Sequence, residues 1–232
     1  MTTAYVLHYA PDNASLIVRI ALSEAGAAFT TRLVDRRRRA QTEPAYRALA
    51  PTGRIPVLET PQGPIFETGA ILLWLAERHP AAGLGPAPDS PARGDFLKWL
   101  FFLSNSLHAD LRQLFYPETQ VPPGAIAGHH AITSARILQH FALMERACAD
   151  HPALFAAPSV LTIYLCTLMR WSVLYPAGQT RWFDAADFPT LLDLCRRTEQ
   201  RAAVRDAALA EGLGDTPFSA PQPACPPEGS AT

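Results

Sequence analysis

Lysine is almost missing from this 232-residue chain: nineteen of its twenty basic residues are arginine. With alanine and proline abundant, that bias reads as genomic base composition, and it lowers the weight any single arginine carries. An excess of one charge is lacking too. Twenty basic against 21 acidic residues leave a formal net charge of −1, too little field to hold DNA, RNA or an anionic membrane surface. The longest apolar run, Val160 to Trp171, is broken by Thr162, Thr167 and Arg170, and it falls short of the ~20 residues of a membrane helix. The opening MTTAYVLHYA has no basic region followed by an apolar stretch, so no secretory signal is expected. Cysteine is sparse. Cys148, Cys166, Cys195 and Cys225 form no C-x-x-C pair and have no histidine at ligand spacing, so neither a disulfide scaffold nor a metal site is expected. None precedes residue 148, which leaves the first half without a cysteine nucleophile. These absences point to a soluble, cytoplasmic, globular protein with no nucleic-acid or membrane partner.

What is present divides in two. Tyr5 to Tyr9 reads as a strand stopped by Pro11-Asp12-Asn13, and Ser15 to Ala25 follows helical spacing until Gly26. Phe29 to Val34 alternates as a strand, and Arg36 to Ala50 is polar, a loop with a short helix. Ile55 to Leu58 and Pro64 to Phe66 read as strands around the turn Thr60-Pro61-Gln62-Gly63, and Ala70 to His79 is an amphipathic helix ended by Pro80. This order calls for a sheet with helices on its faces. Pro- and Gly-rich HPAAGLGPAPDSP (residues 79–91) is the best linker. Beyond it only helical patterns occur. Phe96, Trp99, Leu100, Leu103, Leu107, Leu111 and Leu114 make one apolar stripe, and Val160 to Trp171 is apolar nearly all round, a buried central helix. The expected organisation is an α/β domain over residues 1–80, a linker over 81–91 and an all-α domain over 92–213. The tail, 214–232, has so little apolar content that disorder is expected.

Two motifs point further. Residues 51–58 read PTGRIPVL and residues 66–71 read FETGAI. Placed after a strand–helix–strand unit and before a helical domain, the pair resembles the glutathione transferases. The segments APDNASLIVRIALSEAG and LSNSLHADL are most similar to the bacterial beta class, and RAAVRDAALAEGL to the family's C-terminal end. The resemblance covers roughly residues 4–213. It implies a thioredoxin-like first domain, an all-helical second domain, glutathione as co-substrate, a small hydrophobic electrophile as the other reactant, and a homodimer.

The resemblance also assigns residues. Pro56 falls where the family has a cis proline, leaving the Ile55 backbone free to pair with the cysteinyl part of glutathione as an added strand. Glu67 and Thr68 open a helix whose free N–H groups suit the γ-glutamyl carboxylate. Thr68 adds a hydroxyl, where Ser is commoner in the family, and Glu67 faces the ammonium. Within the run Arg36 to Arg39, Arg39 aligns with a beta-class lysine set against the glycyl carboxylate. Without a ligand, Glu67-Thr68 is equally a helix cap with an acidic first turn, and the arginine run a solvated loop.

Activating the thiol needs a donor, since an ordinary thiol has a pKa of about 8.5. Beta-class members carry Cys-Ser-Leu at this loop; the chain has Ala14-Ser15-Leu16, which excludes a mixed disulfide there. Ser15 ranks first as donor, Asn13 second and Tyr9 third, although Ser15 also reads as a plain N-cap. His108 matches a beta-class histidine near the sulfur. It lies in a stripe Phe101, Asn105, His108, Arg112, which is also a candidate dimer surface. The central helix keeps Ser159 as cap, but Thr162 replaces the family's acid, so half a capping box remains. The leading expectation is a glutathione transferase. The alternatives are a non-catalytic binding or scaffold protein of the same fold, or a glutathione-dependent isomerase, lyase or reductase.

Overall fold

A computed structural model describes residues 5–156 and 158–231; the parts of the expected first domain and tail at residues 1–4 and 232 lie outside them. Strand β1 (Tyr5–Tyr9) is followed by α1 (Ser15–Glu24), β2 (Phe29–Leu33) and a short α2 (Pro44–Arg47). Then come the hairpin β3 (Val57–Thr60) and β4 (Gly63–Phe66), and α3 (Thr68–Arg78). The sheet order is β2-β1-β3-β4, with β1 parallel to β2 and antiparallel to β3. Opposed Leu7 and Leu58 point to the face covered by α1 and α3, whereas the next pair, His8 and Val57, points to the α2 side. There His8 is buried, with Nε2 2.6 Å from a Glu59 oxygen. This is a thioredoxin-like arrangement, with helices on both faces of a mixed sheet.

The helical domain contains α4 (Arg93–Phe102), α5 (His108–Phe115), α6 (Ile126–Asp150), α7 (Val160–Leu174), α8 (Pro189–Thr198) and α9 (Ala202–Glu211). A wide π turn at Leu103–Leu107 joins α4 to α5. All seven residues of the leucine-rich stripe are buried. Every residue of α7 from Val160 to Ser172 is buried as well. Its start keeps half a cap: Ser159 Oγ accepts from Leu161 N–H at 3.3 Å, while Thr162 Oγ donates to the Phe155 carbonyl at 2.5 Å instead of reaching back to the cap.

The two domains share one continuous core, because α1 packs against both α7 and α9. The connection between them is packed too. Leu84 is fully buried, its carbonyl accepts from Val160 N–H at 2.8 Å, and a Cβ on Gly85 would meet the Phe96 ring at 2.7 Å.

The tail is where the structure departs most from expectation. Low apolar content predicts disorder there, yet residues 215–231 lie packed along the molecule. Phe218 is buried, and the buried side chains of Glu199 and Arg170 satisfy the tail's backbone where apolar contacts are few. Glu199 accepts from the N–H groups of Phe218 and Ser219 and from the Ser219 hydroxyl, and Arg170 donates to the carbonyls of Pro217 and Gln222. Gly212 (φ +65°) turns the chain back after α9, where a Cβ would sit 2.0 Å from the Cys225 carbonyl oxygen. The tail then returns to the first domain, where the Tyr9 hydroxyl donates to Glu228.

Candidate functional site

A cavity of about 630 Å³ opens between the two domains, a size suited to a small-molecule ligand. The first domain lines it with Asp12, Asn13 and Ala14 from the β1–α1 loop, Arg36, the segment Thr52 to Pro56, and Phe66 to Gly69 at the start of α3. The second domain supplies His108, Arg112, Phe115 and Tyr116 from α5, and Tyr164, Trp171 and Tyr175 from the α7 region.

The Ile55–Pro56 peptide is cis. The ladder of β3 begins only at Val57, so the Ile55 backbone lies beside the cavity outside the sheet. Tyr46 holds the preceding turn by donating to the Arg54 carbonyl at 2.8 Å. Beside this segment, just after the Phe66 that pairs with Val57, Glu67 occupies the N-cap position of α3 with φ +72° and ψ +116°. That conformation is costly for a side chain with a Cβ and clusters at ligand clamps. The Glu67 carboxylate makes no hydrogen bond or ion pair among the described residues, and neither does the buried Thr68 hydroxyl. The first amides of α3 are free by helix geometry, so an acid, a hydroxyl and a helix N-terminus converge beside Ile55.

The candidate thiol donors separate sharply. Ser15 is fully buried and lines no part of the cavity; its hydroxyl donates to the Ala10 carbonyl at 3.0 Å and accepts from Ala10 N–H at 3.2 Å. It neither caps α1, whose N-cap is Ala14 without a side-chain bond, nor faces a ligand. Tyr9 is also turned away. Its ring lies under the Arg19 guanidinium, its hydroxyl is committed to Glu228, and burial pushes its pKa up. Asn13 and His108 do reach the cavity. Asn13 Oδ1 accepts from Ala14 N–H at 2.9 Å, which leaves the amide –NH₂ available. His108 Nδ1 lies 2.7 Å from the Tyr164 hydroxyl with its ring against Trp171, and burial drives its pKa down to about 4. It is therefore neutral at physiological pH.

Arg39 is exposed, in the left-handed conformation between two 3₁₀ turns, and does not line the cavity. Three residues earlier, Arg36 does. It donates to the Tyr116 hydroxyl at 2.7 Å and to the Ala231 carbonyl. The tight turns that follow β2 bring Arg36, not Arg39, to the rim.

The helical stripe also splits. Phe101 and Asn105 face solvent, whereas His108 and Arg112 line the cavity. The π turn between them adds a residue to one turn and rotates α5 relative to α4 by about a third of a revolution. Arg54, Tyr164, Trp171 and Tyr175 were not identifiable as cavity residues by local pattern; Arg112 carried a signal, standing one turn beyond His108. No cluster of His, Cys, Asp or Glu among the described residues could hold a metal ion. No helix there is long and apolar enough to cross a membrane.

Comparison with known proteins agrees with this geometry. The family model for the glutathione S-transferase N-terminal domain matches residues 14–78. A glutathione S-transferase of Escherichia coli O157:H7 is 28% identical over 210 residues, covering 89% of this chain and 98% of that protein. The solved structure of a sphingomonad glutathione S-transferase complexed with glutathione is 31% identical with a TM-score of 0.74, covering 90% of this chain and 100% of that one. A bacterial beta class glutathione S-transferase from Sphingomonas chungbukensis is 28% identical with a TM-score of 0.72, covering 88% and 98%. Fold, cavity and full-length similarity converge: the chain belongs to the glutathione S-transferase family.

Proposed function

We propose that the cavity binds glutathione and activates its thiol for attack on a hydrophobic electrophile. The observation that carries this reading is the convergence of Glu67, Thr68 and the α3 N-terminus beside the unpaired backbone of Ile55. The γ-glutamyl carboxylate sits at the helix start with the Thr68 hydroxyl, and the Glu67 carboxylate accepts from the ammonium. The cysteinyl peptide pairs with Ile55, and this places the sulfur toward the start of α1. There the helix N-terminus and the Asn13 amide stabilise a thiolate, with neutral His108 on the opposite wall. The thiol proton passes to solvent in the open cavity, and the thiolate then forms an S–C bond as the leaving group departs with its electron pair.

A second reading, a glutathione-binding protein without turnover, draws on one observation: the hydroxyls of Ser15 and Tyr9 are both committed elsewhere. Calorimetry of glutathione binding, followed by ultraviolet titration of the bound thiol, separates the two. Binding with a thiol pKa well below about 8.5 and turnover of an aryl halide support the transferase. Binding with an unshifted thiol supports the second reading, and absence of binding removes both. We further infer a cytoplasmic homodimer; the exposed Phe101 is a candidate contact, and sedimentation of a monomer at micromolar concentration removes that inference.

A further inference from the structure

Three guanidinium groups, those of Arg36, Arg54 and Arg112, line the cavity, against two carboxylates, Asp12 and Glu67. Asp12 has nothing left to offer. Its oxygens already accept from Arg170 Nε and Nη2, from Trp171 Nε1 and from the Tyr175 hydroxyl. Among the described residues that line the cavity, Glu67 is the one carboxylate left to face the three cations; Glu118, outside the lining, also acts on Arg112 by its charge. His108 adds no charge, since burial and the neighbouring Arg112 and Arg54 hold it neutral.

Glutathione carries two carboxylates and one ammonium. With glutathione bound as proposed, its γ-glutamyl end uses Glu67, Thr68 and the helix start. The glycyl carboxylate satisfies one guanidinium, and we assign Arg54 to it because it precedes Ile55, which pairs with the cysteinyl peptide in this reading. Arg36 is partly engaged by Tyr116 and the Ala231 carbonyl. Arg112 remains.

Arg112 is half-buried one turn beyond His108, and no hydrogen bond or ion pair reaches its guanidinium among the described residues. The group lies over the Tyr116 ring, 5.5 Å from the centroid, and Phe115 of the same turn meets Tyr175 with centroids 5.8 Å apart. Burial, then the charge of Arg54, lower its pKa, and Tyr116 and Glu118 offset only part of that. A cation over one aromatic ring, with two further rings on the same cavity wall, suits a flat body with an anionic end.

We propose that the molecule taken beside glutathione carries a carboxylate on a flat apolar body, and that Arg112 recognises that carboxylate. This rests on the glutathione reading. A binding measurement tests it without requiring turnover: isothermal calorimetry of S-benzylglutathione and S-(4-carboxybenzyl)glutathione on the full chain and on R112Q and R112K. The expected result is affinity for the carboxylate-bearing ligand about tenfold or more higher in the wild type, the worth of one charge-assisted bond. That preference disappears in R112Q and is partly retained in R112K. Equal affinities in the wild type, or a preference that survives in R112Q, overturn the inference while glutathione binding stands. If neither conjugate binds, the glutathione reading fails and takes this inference with it. Should R112Q fail to fold, equal affinities in the wild type still overturn the inference, as does a preference undiminished in R112K, and a preference reduced in R112K supports it.

Discussion

The guanidinium of Arg170, wholly buried in α7, donates from Nε and Nη2 to the two carboxylate oxygens of Asp12 at 2.8 and 2.9 Å. Asp12 sits in the β1–α1 loop with φ +49°, so this pair pins the cavity-lining loop of the first domain onto the central helix of the second. A second pair extends it: Glu211 of α9 accepts from Asp12 N–H and from Arg19 Nε, both at 2.8 Å. Removing one member of a buried pair strands the other charge. D12N is therefore expected to destabilise the fold by about 3–5 kcal/mol in urea unfolding. Replacing Arg170 as well, in D12N/R170M, is expected to recover part of that loss. A D12N protein as stable as wild type contradicts the arrangement.

Arg170 also holds the tail, through the Pro217 and Gln222 carbonyls. A chain ending at residue 213 loses the buried Phe218 ring and two acceptors on a buried cation. A stability loss of about 2–5 kcal/mol is expected. Limited proteolysis of the intact chain provides an independent check. Rapid clipping between residues 215 and 231 contradicts a packed tail.

What was legible in the sequence is what depends on local pattern. The leucine stripe and the nearly all-apolar α7 announce the helical core, because burial imposes period on neighbours. Ile55, Pro56, Glu67 and Thr68 border the cavity because a short hairpin and a helix start place them there directly. The tail was not legible, since its anchors Glu199 and Arg170 are distant in sequence and reach it only through the fold. Ser15 reads as the first-ranked thiol donor or as a plain cap, and local pattern does not show that the Ala10 backbone claims its hydroxyl instead. Arg36 and Arg39 differ only by the course of two tight turns, which a run of identical residues cannot reveal.

Ser15 then yields a clear prediction. S15A leaves the buried N–H and carbonyl of Ala10 without their shared partner, at an expected cost of about 1–3 kcal/mol. The ultraviolet titration of bound glutathione stays where it is in wild type. A thiolate titration moved to higher pH in S15A, with the fold intact, would return the serine to the catalytic machinery.

The last prediction concerns pH. Burial between Tyr164 and Trp171 lowers the His108 pKa to about 4, against about 6.5 in an unfolded chain. Between those values the unfolded chain binds the proton and the folded one does not, so stability rises with pH across the window. The contribution of neutral His108 is complete above the unfolded value and is lost as pH falls toward 4. It is roughly 3 kcal/mol, at ~1.36 kcal/mol per pH unit between about 6.5 and about 4. Other groups titrate in the same range, so the informative quantity is the difference between wild type and H108Q. Unfolding free energies taken from pH 7.5 down to 4.5 are expected to fall more steeply in wild type, with the two curves converging at the acidic end. Parallel curves, or an imidazole signal in nuclear magnetic resonance that titrates near 6.5, would show that the ring is hydrated and free to take a proton.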